Sequence, residues 1–368
     1  MGNILDYIDW RGDIPFSCDS FNEVDGLVLA QLCYVAFDQI AVEAATDHIT
    51  LRDAYNRFNA EKIPETERMS TFEQDILLFK KLAESTRFGQ TILADYVNMT
   101  DTGEELQFSA VSCYLADGSV FVAFRGTDGT IVGWKEDFNL SYMAQTSGQL
   151  NAVNYLNEKF SGYPAPIRLG GHSKGGNLAI YAAAYCSDEV RSKITEVYAY
   201  DSPGFRQEIV ESPQYKEILP RLNSFVPEGS IVGMLLASEG DYKIVRSSAT
   251  GISQHITYSW ELKRNHFLLA DKLTRSGDGI NKTITGWLDE FSDEDRQIFV
   301  NTLFEILEAA DKPTLKELKT PSSYASIIKA MRSLTPEQQR VMREARKKIA
   351  DNGKKALFRK RQINPRPH

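Results

Sequence analysis

Apolar residues recur at helical spacing through the first ninety positions of this chain and gather into short runs after residue 106. Phe21 to Ile40 (FNEVDGLVLAQLCYVAFDQI) sets apolar residues three and four apart with acids near its start, which predicts a helix, and Thr71 to Thr86 predicts a second. Ser109 to Leu115 and Val120 to Phe124 are β-rich runs separated by Asp117-Gly118, a hairpin signal. Helices are expected at about 131–140 and 148–160. Ile167 to Gly171 reads as a strand, Gly175 to Tyr185 as a helix of small residues, and Ile194 to Tyr200, Leu222 to Val226 and Tyr242 to Val245 as further strands. Strands alternating with helices from 109 to 260 predict an α/β fold with a mostly parallel sheet covered on both faces. After about residue 280 the chain turns helical and charged, with breaks at Lys312-Pro313 and Thr335-Pro336. The expected organisation is a domain over 1–280, with a helical N-terminal part to 105 and a catalytic core over 106–280. A helical C-terminal extension with a basic tail follows over 281–368.

Composition narrows the class. The 368 residues are 42% hydrophobic and 25% charged, enough to bury a sizeable core without disulfides or metal. Cys18, Cys33, Cys113 and Cys186 are scattered and form no CxxC pair, as expected of thiols in a reducing compartment. The start carries neither a basic nor an apolar leader. The apolar runs, such as Ile231 to Ala237, are too short to cross a bilayer, so a soluble cytoplasmic protein is expected. The net charge is −8, yet residues 341–368 hold ten Lys or Arg against two acids, which leaves −16 for the remainder. An acidic body argues against nucleic acid as a partner. The basic tail suits peripheral contact with an anionic membrane or an ordinary solvated helix face. No glycine-rich phosphate loop, metal-ligand cluster or aromatic nucleic-acid platform is visible, and no cofactor is called for.

The chemistry centres on Gly171-His172-Ser173-Lys174-Gly175, which fits the nucleophile elbow G-x-S-x-G. A serine on a sharp strand-to-helix turn has its hydroxyl pushed clear of the sheet, and the flanking glycines admit close backbone. The predicted strand before it and helix after it supply the context the motif needs. The helix N-terminus also brings positive dipole towards a developing oxyanion. A second motif, Val122-Ala-Phe-Arg-Gly-Thr-Asp128, ends a strand in a turn whose amides can face that oxyanion. The Thr127 and Lys174 backbone N–H groups are the candidate donors.

Phe124-Arg-Gly-Thr127 with Trp134 and Asp137, followed by Gly-His-Ser-x-Gly-Gly and Leu178-Ala179, resembles the class 3 (triacylglycerol) lipases of the α/β-hydrolase superfamily over about residues 109–260. The resemblance implies an α/β-hydrolase fold, a first oxyanion donor at the end of the FRGT strand, and a lid formed by the W-x-x-D helix. The opening Asn3 to Asp13 and Phe21 to Asp25 resemble a bacterial lipase-related family of unassigned function. A serine needs a base, and the chain has five histidines. His172 adjoins the nucleophile and is expected to point away from it. His48 and His368 lie outside the core. His255, in Gln254-His-Ile-Thr-Tyr-Ser-Trp260, resembles the lipase segment that carries the base and is preferred to His266.

The acid is less plain. In the class 3 lipases it lies in a D-x-V-P segment, whose counterpart here is Ser230-Ile-Val-Gly233. Asp201, in Tyr200-Asp-Ser-Pro-Gly204 at a strand's C-terminal end, and Glu228, in Val226-Pro-Glu-Gly229, are the substitutes. Lys174 is expected either to meet a polar head group or, as a solvated helix residue, to matter only through its amide. The lid segment Trp134 to Leu140 (WKEDFNL) is polar, which suits a soluble ester or a phospholipid. The expected activity is hydrolysis of a carboxylic ester, with a lipid ester favoured. A silent hydrolase fold used as an interaction module, or acyl transfer or thioester cleavage at the same serine, are the alternatives.

Overall fold

A computed structural model describes residues 2–40, 48–64, 69–274, 290–314, 317–318 and 320–348. Eight strands form one sheet in sequence order: β1 (Ile49–Thr50), β2 (Ile92–Asp101), β3 (Leu106–Tyr114), β4 (Val120–Phe124), β5 (Ile167–His172), β6 (Ile194–Tyr200), β7 (Leu222–Pro227) and β8 (Tyr242–Val245). Pairs from β1 to β4 are antiparallel and pairs from β4 to β8 are parallel. A small antiparallel pair, β9 (Leu262–Lys263) and β10 (His266–Phe267), lies apart.

Alternation along the strands splits the core in two. Phe121 and Ala123 join one apolar cluster, and Val120, Val122 and Phe124 join the other. The first is covered by α1 (Ile4–Arg11), α2 (Glu23–Leu32), α3 (Leu51–Arg57) and α4 (Phe72–Glu84). The second is covered by α6 (Ser147–Phe160) and α7 (Lys174–Tyr185), while α5 (Ile131–Asn139) crosses the sheet's end. Short helices α8 (Asp188–Arg191), α9 (Gln207–Val210) and α10 (Pro213–Ile218) fill the later crossovers. Beyond them come α11 (Asp293–Glu308), α12 (Pro321–Arg332) and a helical stretch over 336–348.

Two sequence expectations shift. The stretch 1–105 is not helical throughout, because β1 and β2 lie in it. The outer half of β2, from Asn98 to Asp101, is exposed and, apart from Met99, polar, and so carries no alternation of buried and exposed positions. The helix expected over 21–40 ends at Leu32, and a separate 3₁₀ turn spans Phe37–Ile40. The far end of the basic tail lies outside the described residues. Cys33, Cys113 and Cys186 are buried free thiols, while Cys18 is exposed. Among the described residues no helix is long and apolar enough to cross a membrane.

Register decides where chemistry can occur. Phe124 pairs with Gly171, His172 with Tyr200, and Tyr200 with Phe225. The C-terminal ends of β4, β5, β6 and β7 therefore finish side by side, where an open parallel sheet presents ligand-facing groups. The loops that leave this edge carry Thr127, Ser173, Asp201 and Glu228. A consecutive, mostly parallel sheet with a strand–serine–helix turn at this edge is the architecture of an α/β-hydrolase.

Candidate active site

Ser173 sits between β5 and α7 with φ 57° and ψ −132°, a conformation that side-chain-bearing residues rarely adopt. It is held there by its own N–H, which donates to Tyr200 O at 2.9 Å, and by Gly176 N, which donates to Ser173 O at 3.0 Å. Close backbone approach explains two neighbouring glycines. A Cβ on Gly175 would lie 2.1 Å from Phe124 O, and one on Gly126 would lie 2.6 Å from His172 O. These contacts draw the turn after β4 against the elbow. The backbone N–H groups of Thr127 and Lys174 have no hydrogen-bond partner among the described residues.

His255 lies in a 3₁₀ turn (Gly251–His255) after β8. Its Nδ1 is 2.6 Å from Asp201 Oδ2. Asp201 is fully buried at the end of β6, with φ 47°. Its other oxygen, Oδ1, accepts from Ser230 Oγ at 2.5 Å and from Gly233 N at 3.0 Å. The segment in which the resemblance expected an acid thus supplies donors to a carboxylate borne by the neighbouring strand. Glu228 is half-buried and makes no side-chain hydrogen bond to the imidazole. His266 pairs with Glu23 at 2.8 Å, largely exposed, and does not line the cavity that holds Ser173. Ser173 Oγ and His255 line one cavity, with no hydrogen bond between them.

The His172 ring is held by partners on two other segments. Its Nε2 is 2.9 Å from His255 O and its Nδ1 is 3.1 Å from Tyr34 Oη. A carbonyl only accepts, so Nε2 carries the proton and Nδ1 accepts from the Tyr34 hydroxyl. Burial, and then the His255 ring 4.4 Å away, push His172 well below the ordinary histidine value and keep it neutral.

The His255 loop is also seated by the N-terminal region. Thr257 Oγ1 donates to Gln31 Oε1 at 2.8 Å, and Gln31 Nε2 and Tyr258 Oη donate to Asp75 Oδ1, each at 2.7 Å. Burial raises the Asp75 carboxyl to about 6. Sequence reasoning passed over Gln31 and Asp75, although a Gln and an Asp within otherwise apolar helix faces are the visible signal of such a network.

Two further expectations are corrected. Lys174 is neither solvated nor open to a head group. Its side chain is 1% exposed, and Nζ donates to Glu136 Oε2 at 2.8 Å, to Gln107 O at 2.8 Å and to Gln107 Oε1 at 2.7 Å. Glu136 also accepts from Gly148 N at 2.6 Å and Gln107 N at 3.1 Å. This buried pair ties the helix behind the nucleophile to α5. Nor is α5 a free lid. Ile131 packs with Val300, Phe304 and Leu318, the Phe138 and Phe304 rings are 5.7 Å apart, and Ile131 N donates to Pro313 O at 2.9 Å. Lifting α5 would expose that cluster and part a desolvated ion pair, so it forms a wall that the C-terminal extension braces.

The wall carries Asp137, whose Oδ2 accepts from Thr127 Oγ1 at 2.5 Å while Oδ1 is buried with no partner among the described residues. Burial raises this carboxyl to about 6. Thr127 is thereby fixed with its amide beside the elbow.

The cavity over Ser173 has a volume of about 1290 Å³. One part of its lining is apolar, including Trp134, Phe138, Val232, Leu235, Leu236 and Ile252, and another is polar, including Asp38, Asn98, Arg125 and Asp128. Pro313, Thr314 and Glu317 of the C-terminal extension also reach it. No cluster of His, Cys, Asp or Glu suited to a metal ion occurs among the described residues.

Among solved structures the chain is similar to the Rhizomucor miehei lipase propeptide complex, at 17% identity and a TM-score of 0.33 over 42% of this chain and 57% of that one. It is similar to M37 lipase at 14% identity and a TM-score of 0.37, over 58% of this chain and 70% of that one. It is also similar to the extracellular lipase LipA from Serratia marcescens, at 12% identity and a TM-score of 0.28 over 60% of this chain and 42% of that one. The chain thus spans little more than half the length of the Rhizomucor lipase. No curated protein matches it. A family model does match residues 82–305, more than half of the chain and all of the sheet from β2 to β8. The chain accordingly belongs to the Mbeg1-like family.

Proposed function

We propose that this protein is a serine hydrolase that cleaves a carboxylic ester, and that its substrate is a lipid ester. The observation that carries the reading is that His255, paired with Asp201 behind it, lines the same cavity as a serine held on a strained elbow. Neither the strain at Ser173 nor a fully buried carboxylate facing an imidazole helps the fold on its own, and functional sites are where such costs collect.

In this reading Ser173 Oγ attacks the ester carbonyl carbon while His255 Nε2 takes the hydroxyl proton. Nδ1–H donates to Asp201 Oδ2, which fixes the tautomer and stabilises the imidazolium. Ser230 and Gly233 hold the far oxygen of Asp201 so that Oδ2 faces the ring. The oxyanion is met by the Thr127 and Lys174 amides, which have no hydrogen-bond partner among the described residues. His255 returns the proton to the leaving alkoxide, and water then releases the acyl group from Ser173 by the same path. The chain's own groups complete this sequence of proton transfers. His172, held neutral, does not compete for the proton and keeps the His255 backbone in place.

The cavity supports a lipid ester as the substrate class. A volume of about 1290 Å³ with a large apolar lining exceeds what a short acyl group fills, while drug-sized ligands occupy roughly 300–1,000 Å³. Hydrolysis of nitrophenyl esters graded by acyl length tests this. The expected result is kcat/KM rising from acetyl to medium-chain esters and falling at least about 10⁴-fold in Ser173→Ala. Turnover confined to thioesters would move the reading to a thioesterase. No turnover of any member would sink it in favour of a silent interaction module.

A further inference from the structure

We propose that helix α12 docks this protein on an anionic lipid bilayer through Tyr324, Ile328 and Met331. The three side chains follow one another at four and three residues, which places them on one helix face. They are 55%, 49% and 54% exposed. The adjoining face is used by the fold, because Ser323 is buried and Ile327 packs on the cluster formed by Ile131, Val300, Phe304 and Leu318. The helix is therefore fixed to the body and offers a second apolar stripe that nothing among the described residues covers. A contiguous exposed stripe of large apolar side chains marks an interaction surface more often than scattered ones do.

Charge selects the occupant. Lys329 and Arg332 lie on the same helix and pair with no acid among the described residues. The sequence has no Asp or Glu between Glu317 and Glu337. From residue 318 to the end it carries fourteen Lys or Arg against three acids, a net +11, in a chain whose total is −8. The rest of the protein is thus at −19 and would repel an anionic surface, which orients the molecule with this end down. An apolar stripe bordered by cations and free of acids is the pattern of a helix lying in a lipid interface. A second copy of this acidic protein fits less well, since two such faces would bring like charges together.

The helix that bears the stripe is also linked to the wall of the site. Its Ile327 packs on the cluster that includes Ile131, the first residue of the helix that carries Trp134. Trp134 and Ile252 line the cavity and are themselves 42% and 60% exposed. If the lipid-ester reading holds, docking would bring the cavity to its substrate's phase. The docking proposal does not depend on that reading, and its test needs no turnover.

The test is co-sedimentation of full-length Ser173→Ala protein with vesicles of phosphatidylcholine alone and with about one third phosphatidylglycerol. Binding is expected to the anionic vesicles only and to weaken as salt is raised. Tyr324→Ser, Ile328→Ser and Met331→Ser combined should lower partitioning at least about tenfold, and Lys329→Gln with Arg332→Gln several-fold at low salt. The inward residues of α12 are unchanged, so the variants should keep the parent's thermal midpoint. Absence of binding by the Ser173→Ala parent would overturn the proposal. So would a triple variant that partitions like its parent, or one that turns a dimer into a monomer without any effect on vesicles. Native protein that binds anionic vesicles yet hydrolyses no ester would count against the catalytic reading alone.

Discussion

Asp201→Asn is expected to lower kcat by about 10⁴-fold with little change in KM, whereas Glu228→Gln should leave both within about twofold. The asparagine is isosteric, so the loop keeps its shape. What changes is the partner of His255 Nδ1. An amide can turn its NH₂ towards the ring, which would favour the tautomer with Nδ1 bare and Nε2 protonated, and a protonated Nε2 cannot accept from Ser173. Ser230 Oγ and Gly233 N both donate to Asp201 Oδ1, so the substituted amide would present its carbonyl to them and its NH₂ to the imidazole. The same donors that aim the carboxylate in the native protein would thus fix the variant in the unproductive arrangement. Glu228 has no such contact. Kinetics of the two variants on one ester, with circular dichroism to verify the fold, read the difference. Equal losses in both would remove Asp201 from its assigned role.

The second large effect concerns stability. Lys174→Met should cost about 3–5 kcal/mol in urea unfolding, because it leaves Glu136 charged in a site where both side chains are 1% exposed. The backbone donors Gly148 N and Gln107 N would remain on that carboxylate but cannot replace the lost cation. Adding Glu136→Met removes the stranded charge. The double variant should therefore recover most of the loss, since buried ion pairs are often matched by apolar pairs of similar volume. The Lys174 amide is unaltered in both, so catalysis in the folded double variant should track the parent. A double variant less stable than Lys174→Met would show that the pair's worth lies in its hydrogen bonds rather than in mutual neutralisation.

These two sites also show which parts of the molecule were legible in the chain. The elbow was visible because its needs are local: a glycine on each side, a strand before and small residues after. The Asp201 assignment was open because strand-end placement alone does not say which of two carboxylates a distant loop will meet. That depends on register, with Tyr200 opposite both His172 and Phe225, and register is a long-range property. Lys174 was misread because a lysine in the first turn of a helix is ordinarily solvated. Its burial depends on Glu136, Gln107 and the close packing of α5, thirty-eight and sixty-seven residues away along the chain. The seating of His255 by Gln31 and Asp75 joins the N-terminal helices to a loop more than 180 residues later. The outer half of β2 hid a strand for the opposite reason, because all four of its positions face water and leave no buried alternation to read.

The central claim is that Ser173 is activated by His255. The most direct test is to treat the full-length protein with a fluorophosphonate, which reacts with serines whose proton a neighbouring base can take, and to locate the adduct by mass spectrometry. The account predicts a single adduct on Ser173 that is absent in Ser173→Ala and lost in His255→Ala. Folded wild-type protein that stays unlabelled at Ser173, or that labels equally well without His255, would contradict it.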